Sequence, residues 1–356
     1  MRVHQMLVRL DAGDAVSNQA LSIHRILEER GIESHIWAHG IDEFGARYAR
    51  LDEEYAPFRS AGEDLLIFHY SIYCENYREY LSSRNHKVLV YHNITPAKWF
   101  EPYDQGAADL CARGREILPL LTEGDLFLGD SDFNRRELVE MGFAEEKTGI
   151  LPINPSLDRL WDGGVDPEVQ RMLADSRTNL LYVGRIVPNK CIEDIIRLFH
   201  FYHRGVNASS RLVLAGRIFT PYAMRLWSLV EELELGGRVH FLGKIDERGL
   251  RTCFRQAHFY ISMSEHEGFC VPLLEAFACD LPVFAYAAGA VPETMGDAGV
   301  VFERKAYPLL CEVLENVRGD RLLKERIVAA QRRRLEDFGE TAFRRRLDEV
   351  LGRYLN

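Results

Sequence analysis

The sequence predicts an α/β protein built as two parallel-sheet units in tandem. Short apolar runs of strand length recur with amphipathic stretches of helix length between them, the signature of parallel strands covered on both faces. The rhythm breaks once, between Pro152 and about Thr178, where Pro152, Pro155, Gly163, Gly164 and Pro167 crowd a stretch without a strand. A chain of 356 residues is also long enough for about two domains.

In the first unit the apolar runs place strands at 6–10, 35–38, 65–70, 88–92, 126–129 and 148–151. Helix-like segments include 17–30 and 111–121, with Ser17 as the expected N-cap and Gly31 just past the end of the first. The break after Pro152 reads as a connector with one short helix, and 152–155 as a hinge. The second series of strands falls at 180–183, 211–215, 239–242, 259–263, 283–286 and 300–302. From 322 to 355 the chain is helical and rich in arginine. A solvated helix face is the simpler reading of that run, and attraction to anionic lipid headgroups the alternative. The expected division is 1–160, 161–335 and a last helix at 336–356.

Bulk properties exclude several classes. A formal net charge of −10 argues against a nucleic-acid binder. Seven cysteines with no C-x-x-C pair indicate neither a disulfide framework nor a zinc site, and fit a reducing cytoplasm. The first residues enter a strand at once, unlike a signal peptide, and no apolar run reaches the roughly 18 residues of a membrane span.

The chemistry concentrates in residues 264–278, Ser-Glu-His-Glu-Gly-Phe-Cys-Val-Pro-Leu-Leu-Glu-Ala-Phe-Ala. A strand leads into a turn and an apolar helix, with Glu267 before the helix and Glu275 inside it. Backbone N–H groups of Gly268, Phe269 and Cys270 stand at that helix start, ready to receive an anion. Two acids around a phosphate cradle suggest a ligand that is partly phosphate and partly polyhydroxyl. Upstream, Leu181-Tyr-Val-Gly-Arg-Ile-Val-Pro-Asn-Lys-Cys191 ends a strand and opens another helix, carrying Arg185 and Lys190.

The first run resembles the Glu-x7-Glu motif of retaining GT-B glycosyltransferases of the large family 4 group, with Pro282-Val283 also at the expected spacing. The second resembles that family's Gly-Arg-x-x-x-x-Lys-Gly segment, except that Cys191 stands where glycine is frequent. The resemblance implies two Rossmann-like domains facing a cleft, with the last helix crossing back onto the first domain. It assigns Arg185 and Lys190 to the donor diphosphate, Glu275 to the ribose hydroxyls and Glu267 to the transferred sugar. Arg217 and Ile218, with the Gly243-Lys-Ile245 turn, are implied for the base, and Gly13 for close backbone approach to donor or acceptor. His92 is implied to hydrogen-bond the sugar or acceptor, and a histidine there is also the one candidate general base. His69-Tyr70 is read either as an acceptor contact or as packing, Gly289 as a point of close backbone approach, and Glu293 as a loop anchor.

Fixed cations aimed at a departing diphosphate stabilise the transition state more than the ground state. Two of them can replace a divalent metal, so neither a metal nor another cofactor is expected. Asp130-Ser-Asp132 spells the D-x-D of metal-dependent GT-A enzymes, but an N-cap role for Ser131 or Asp132 ahead of a helix at 134–141 explains it more simply. The implied function is transfer of a sugar from a UDP- or GDP-sugar to a hydroxyl acceptor with retention, the acceptor being a polysaccharide or lipid-linked glycan intermediate. The implied location is the cytoplasm, at the inner membrane face if the arginine-rich helix docks there. The alternatives are a disaccharide synthase or sugar phosphorylase on the same fold, or a non-catalytic sugar-nucleotide-binding subunit.

Overall fold

The computed structural model describes residues 1–60, 62–161 and 163–355. It divides into two compact units, one formed by 1–156 with 338–356 and the other by 157–337. The expected boundaries at 160 and 335 thus lie a few residues from the observed ones.

The first unit holds strands β1 (Val3–Leu10), β2 (Ser34–Ile41), β3 (Ala49–Leu51), β4 (Leu65–Tyr70), β5 (His86–Tyr91), β6 (Leu126–Gly129) and β7 (Thr148–Ile150). They form one parallel sheet in the order β3-β2-β1-β4-β5-β6-β7. Helices α1 (Ala15–Glu29), α2 (Tyr77–Ser82), α3 (Gln105–Ile117) and α4 (Asp132–Glu140) connect them. Every residue of β4 is buried, which explains why it reads as an unbroken apolar run rather than an alternating one. The short edge strand β3 escapes sequence reading because Ala-Arg-Leu has no period to detect.

Two caps differ from expectation. Asp14, not Ser17, caps α1: its carboxylate accepts from the Ser17 N–H at 2.9 Å. Ser17 lies inside the first turn, where its hydroxyl donates to the Arg9 carbonyl and accepts from the Asp11 N–H. Gly31 does follow the helix end at φ +72°, a left-handed conformation natural to glycine. Likewise α3 starts at Gln105 rather than 111, because Asp104 caps it.

The second unit contains β8 (Thr178–Val183), β9 (Ser210–Ala215), β10 (Val239–Gly243), β11 (Phe259–Ser262), β12 (Val283–Tyr286) and β13 (Val300–Phe302). These too are all parallel, in the order β10-β9-β8-β11-β12-β13. The helices are α5 (Pro167–Leu173), α6 (Ile192–Gly205), α7 (Thr220–Glu232), α8 (Glu247–Gln256), α9 (Val271–Ala278), α10 (Val291–Met295), α11 (Tyr307–Gly319) and α12 (Arg321–Leu335). In each sheet the strand order reverses beside the first strand, between β1 and β4 and between β8 and β11. Open α/β sheets bind ligands at the carboxyl ends of strands at such reversals.

The arginine-rich end is made of two helices. After α12 the chain turns, and α13 (Glu340–Leu355) returns to the first unit. Phe343, Leu347 and Leu351, one helical stripe, enter the core formed by Ile23, Ile26, Leu27, Leu65, Val88 and Leu128. Glu340 pairs with Arg25 at 2.8 Å, Arg344 with Glu29 at 2.6 Å, and Asp348 with Arg30. Arg332, Arg334, Arg345 and Arg346 also have acidic partners, so the run fits a solvated face. Among the described residues no helix is long and apolar enough to cross a membrane.

Leu347→Ala should open a cavity in the first unit's core and cost about 2–5 kcal/mol. Chemical denaturation followed by circular dichroism measures it, and a loss below about 1 kcal/mol would show that α13 contributes little to that core.

Candidate active site

Loops from the carboxyl ends of five strands of the second unit carry the implied donor residues. The loop after β8 begins at Gly184, whose carbonyl lies so close to Gly216 that a Cβ on Gly216 would come within 1.9 Å of it. The two chains stay together past the sheet, with Ile186 bridged to Ile218. This holds Arg185 and Arg217 on the exposed edge; Arg185 makes no side-chain hydrogen bond or ion pair among the described residues. Ile245, half-buried, follows Gly243, whose carbonyl accepts from the Gly216 N–H at 2.8 Å.

After one turn at Pro188–Lys190 the chain reaches Cys191, at φ +49° and ψ +50°. The turn after β11 ends the same way, with Cys270 at φ +72° and ψ +64° ahead of α9. Both helices therefore open from a left-handed residue, the backbone that glycine adopts most easily. Cysteine at 191 keeps the backbone turn and adds a buried side chain, whose thiol burial pushes up to about 12.

The two loops are joined. The Asn189 carbonyl accepts from the Glu265 N–H at 2.9 Å, and its side-chain amide donates to the His266 carbonyl at 3.0 Å. Beyond that clasp, Lys190 Nζ lies 2.6 Å from Glu267 Oε2, with Glu267 only 7% exposed. Gly289, at φ +57°, packs against the Glu267 backbone: a Cβ there would meet its carbonyl at 2.4 Å. The Ala290 N–H also donates to that carbonyl. Thr294 donates to the Phe269 carbonyl at 2.6 Å, and Arg334 to that of Glu293 at 2.6 Å, so the 287–294 loop braces the turn through Gly268 and Phe269.

Glu275, on the second turn of α9, is 4% exposed and ion-paired with Arg159. Burial raises its carboxyl above the ordinary range, and the Arg159 guanidinium opposes that shift. The sequence places Glu275 inside an apolar helix but does not point to the cation. Arg159 sits in the connector, where nothing in its neighbours marks it. Asn189 was likewise passed over beside Lys190.

The first unit arranges its polar residues differently. Gly13 follows β1 at φ +78°, and a Cβ there would meet nothing within 4 Å, so the glycine serves the backbone angle alone. His92 is a correction. Its side chain is 1% exposed, and both ring nitrogens are engaged: Nδ1 with Asp130 at 3.0 Å and Nε2 with His69 Nδ1 at 2.9 Å. His69 Nε2 continues to Gln5 Oε1 at 3.1 Å, and the Gln5 amide donates to the Ala20 carbonyl. Donor accounting fixes the protons. The Gln5 oxygen accepts, so His69 carries hydrogen on Nε2; its Nδ1 accepts, so His92 carries hydrogen on Nε2. One remaining proton is shared between His92 Nδ1 and the buried Asp130. A sugar contact or general-base role for His92 requires breaking this chain, and His69 belongs to packing rather than to an acceptor surface. Asp130-Ser-Asp132 is also accounted for: Ser131 caps α4, and Asp132 pairs with Arg135 and Arg136.

Residues 169–334 match the family model for glycosyl transferases group 1. That match covers most of the second unit. Curated relatives include the O-antigen chain mannosyltransferase B of Escherichia coli, 27% identical over 51% of this chain and 48% of that protein. Another is the GDP-mannose:cellobiosyl-diphosphopolyprenol alpha-mannosyltransferase of Xanthomonas oryzae pv. oryzae, 29% identical over 36% of this chain and 34% of that one. The chain spans about half or less of the length of these two curated relatives. Whole-chain likeness comes from solved structures. The Anabaena HepE structure with UDP-glucose has a TM-score of 0.73 at 15% identity, over 99% of this chain and 100% of that one. A glycosyltransferase from Rickettsia africae reaches 0.77 at 15% identity, over 100% and 99%. At that identity the likeness establishes the fold, which is GT-B.

Burial holds His69 well below the ordinary imidazole range, with the neighbouring His92 lowering it further. The unfolded chain takes up this proton near the ordinary imidazole value of about 6.5, and the folded unit does so only at much lower pH. The stability this provides is full above about 6.5 and is lost progressively as pH falls below it. Melting temperatures of wild type and His69→Asn between pH 7.5 and 5 should converge as acid is added; parallel curves would contradict the neutral assignment.

Proposed function

We propose that the chain is a retaining glycosyltransferase that moves a hexose from a UDP- or GDP-sugar to a hydroxyl of a glycan or lipid-linked glycan intermediate. One observation carries the reading. Lys190 and Glu267 are locked together at the β8/β11 reversal, between the exposed Arg185 and the buried Glu275. Cations for a diphosphate and carboxylates for hydroxyls thus share one strand-end edge. The mannosyltransferases among the relatives and the UDP-glucose bound by HepE support a nucleotide-sugar donor.

In this mechanism the bond between the anomeric carbon and the diphosphate oxygen breaks as the acceptor oxygen attacks from the same face. Arg185, a planar fork, and Lys190, a point charge, take up the charge that develops on the leaving group. The departing phosphate oxygen receives the acceptor's proton, so no side-chain base is needed. That fits His92, whose nitrogens are committed elsewhere. Glu267 and Glu275 accept hydroxyl hydrogens from the sugar and the ribose. A lipid-linked acceptor would have the chain work at the cytoplasmic face of a membrane.

Arg185→Ala and Lys190→Ala should each lower kcat/KM by about 10–100-fold, the value of a charge-assisted contact of about 1.5–3 kcal/mol. Near wild-type kinetics in both would refute the diphosphate assignment. Activity should survive EDTA; inactivation reversed by Mn²⁺ or Mg²⁺ would mean that the two cations do not suffice. NMR of the product's anomeric proton should show an α-linkage from an α-linked donor, and a β-linked product would exclude retention.

A further inference from the structure

The connector, expected to carry one short helix, is bound along α8 and α9. Arg248, Arg251 and Arg255 project from one face of α8 and donate to its carbonyls. Arg251, itself buried, reaches the Arg159 carbonyl from Nε at 3.2 Å and from Nη2 at 2.8 Å, and the Gly164 carbonyl from Nη1 at 2.5 Å. Arg248 donates to the Val165 carbonyl and Arg255 to that of Trp161, both at 3.0 Å. The Trp161 indole donates to the Ala278 carbonyl at 3.2 Å, and the Asp166 N–H to Thr252 at 2.8 Å. Gly163 is needed as well: at φ +114°, a Cβ there would lie 2.9 Å from Arg251 Nη1. The segment is a strap whose backbone is fixed at Arg159 and at several points beyond it, from Trp161 to Asp166.

The fixed backbone delivers one side chain, the Arg159 guanidinium, to Glu275. Glu275 is buried, and among the described residues Arg159 is its ion-pair partner. A carboxylate removed from water without a counter-charge becomes neutral or turns away. Two adjacent ribose hydroxyls require an ionised carboxylate with both oxygens accepting. A neutral carboxyl has one oxygen committed as a donor.

Resting on the donor reading above, we infer that Arg159 is a positioning residue for the nucleotide ribose, holding Glu275 as an oriented carboxylate. It acts through Glu275 rather than on the reacting atoms, so its loss should appear in donor affinity and donor KM more than in kcat. The strap matters because it fixes where the guanidinium stands.

Isothermal titration of the full chain with UDP and with GDP tests this, using wild type, Arg159→Met, Arg159→Lys, Glu275→Gln and the Arg159→Met/Glu275→Gln double variant. Arg159→Met should weaken the nucleotide that wild type binds by about tenfold or more, with donor KM rising and kcat within about threefold. Arg159→Lys should recover most of the affinity. In the Glu275→Gln background, Arg159→Met should change Kd by less than about twofold, because the partner it serves is gone. The inference is overturned if Arg159→Met binds as well as or better than wild type, or if the two single losses multiply in the double variant. If wild type binds neither nucleotide, the donor reading falls and this inference with it. The Glu275→Gln pair of variants reads the coupling even if Arg159→Met alone folds poorly.

Discussion

The buried carboxylate of Glu267 constrains the donor edge of the second unit. A charge withdrawn from water needs a partner at hydrogen-bond distance, and Lys190 comes from a loop 77 positions earlier, as Asn189 does when it reaches His266. The left-handed turns at Cys191 and Cys270, the glycine contact at Gly289 and the Asn189 clasp all hold the two loops close enough for that pair to form. Ligand phosphate would then meet a lysine already oriented by a carboxylate, a form of preorganisation that lowers the entropy cost of binding.

Glu275 presents the same problem with a different solution. Its partner comes from the connector, which carries no recognisable motif, so the strap needs its own attachments. Three arginines of α8 supply them. In the first unit Asp130 is balanced through a chain of two imidazoles and an amide rather than by a lysine or arginine. A chain of that kind transmits orientation: each group fixes the tautomer of the next.

The sheet strands were legible because buried parallel strands leave apolar runs of fixed length, as at 65–70 and 211–215. Helix starts were less so, since Asp14 and Ser17 are both good capping residues three positions apart, and only packing decides between them. The break between α12 and α13 falls at Glu336-Asp-Phe-Gly339, where the last helix was expected to begin. Within the candidate site, Arg185, Lys190, Glu267 and Glu275 stood out through spacing. Arg159 and the commitments of His92 did not, because each depends on a contact between residues far apart in sequence.

The return of α13 has a consequence for how the molecule is made. A polypeptide emerges amino-terminus first, and domains ordinarily condense in that order. Here Phe343, Leu347 and Leu351 follow the whole second unit in the chain, yet they fill the core of the first. On the ribosome, therefore, the amino-terminal sheet waits with an unfilled groove beside Ile26 and Leu65 while the later unit is completed. The unit begun first is the one finished last, and its apolar groove is the surface that needs protection during synthesis.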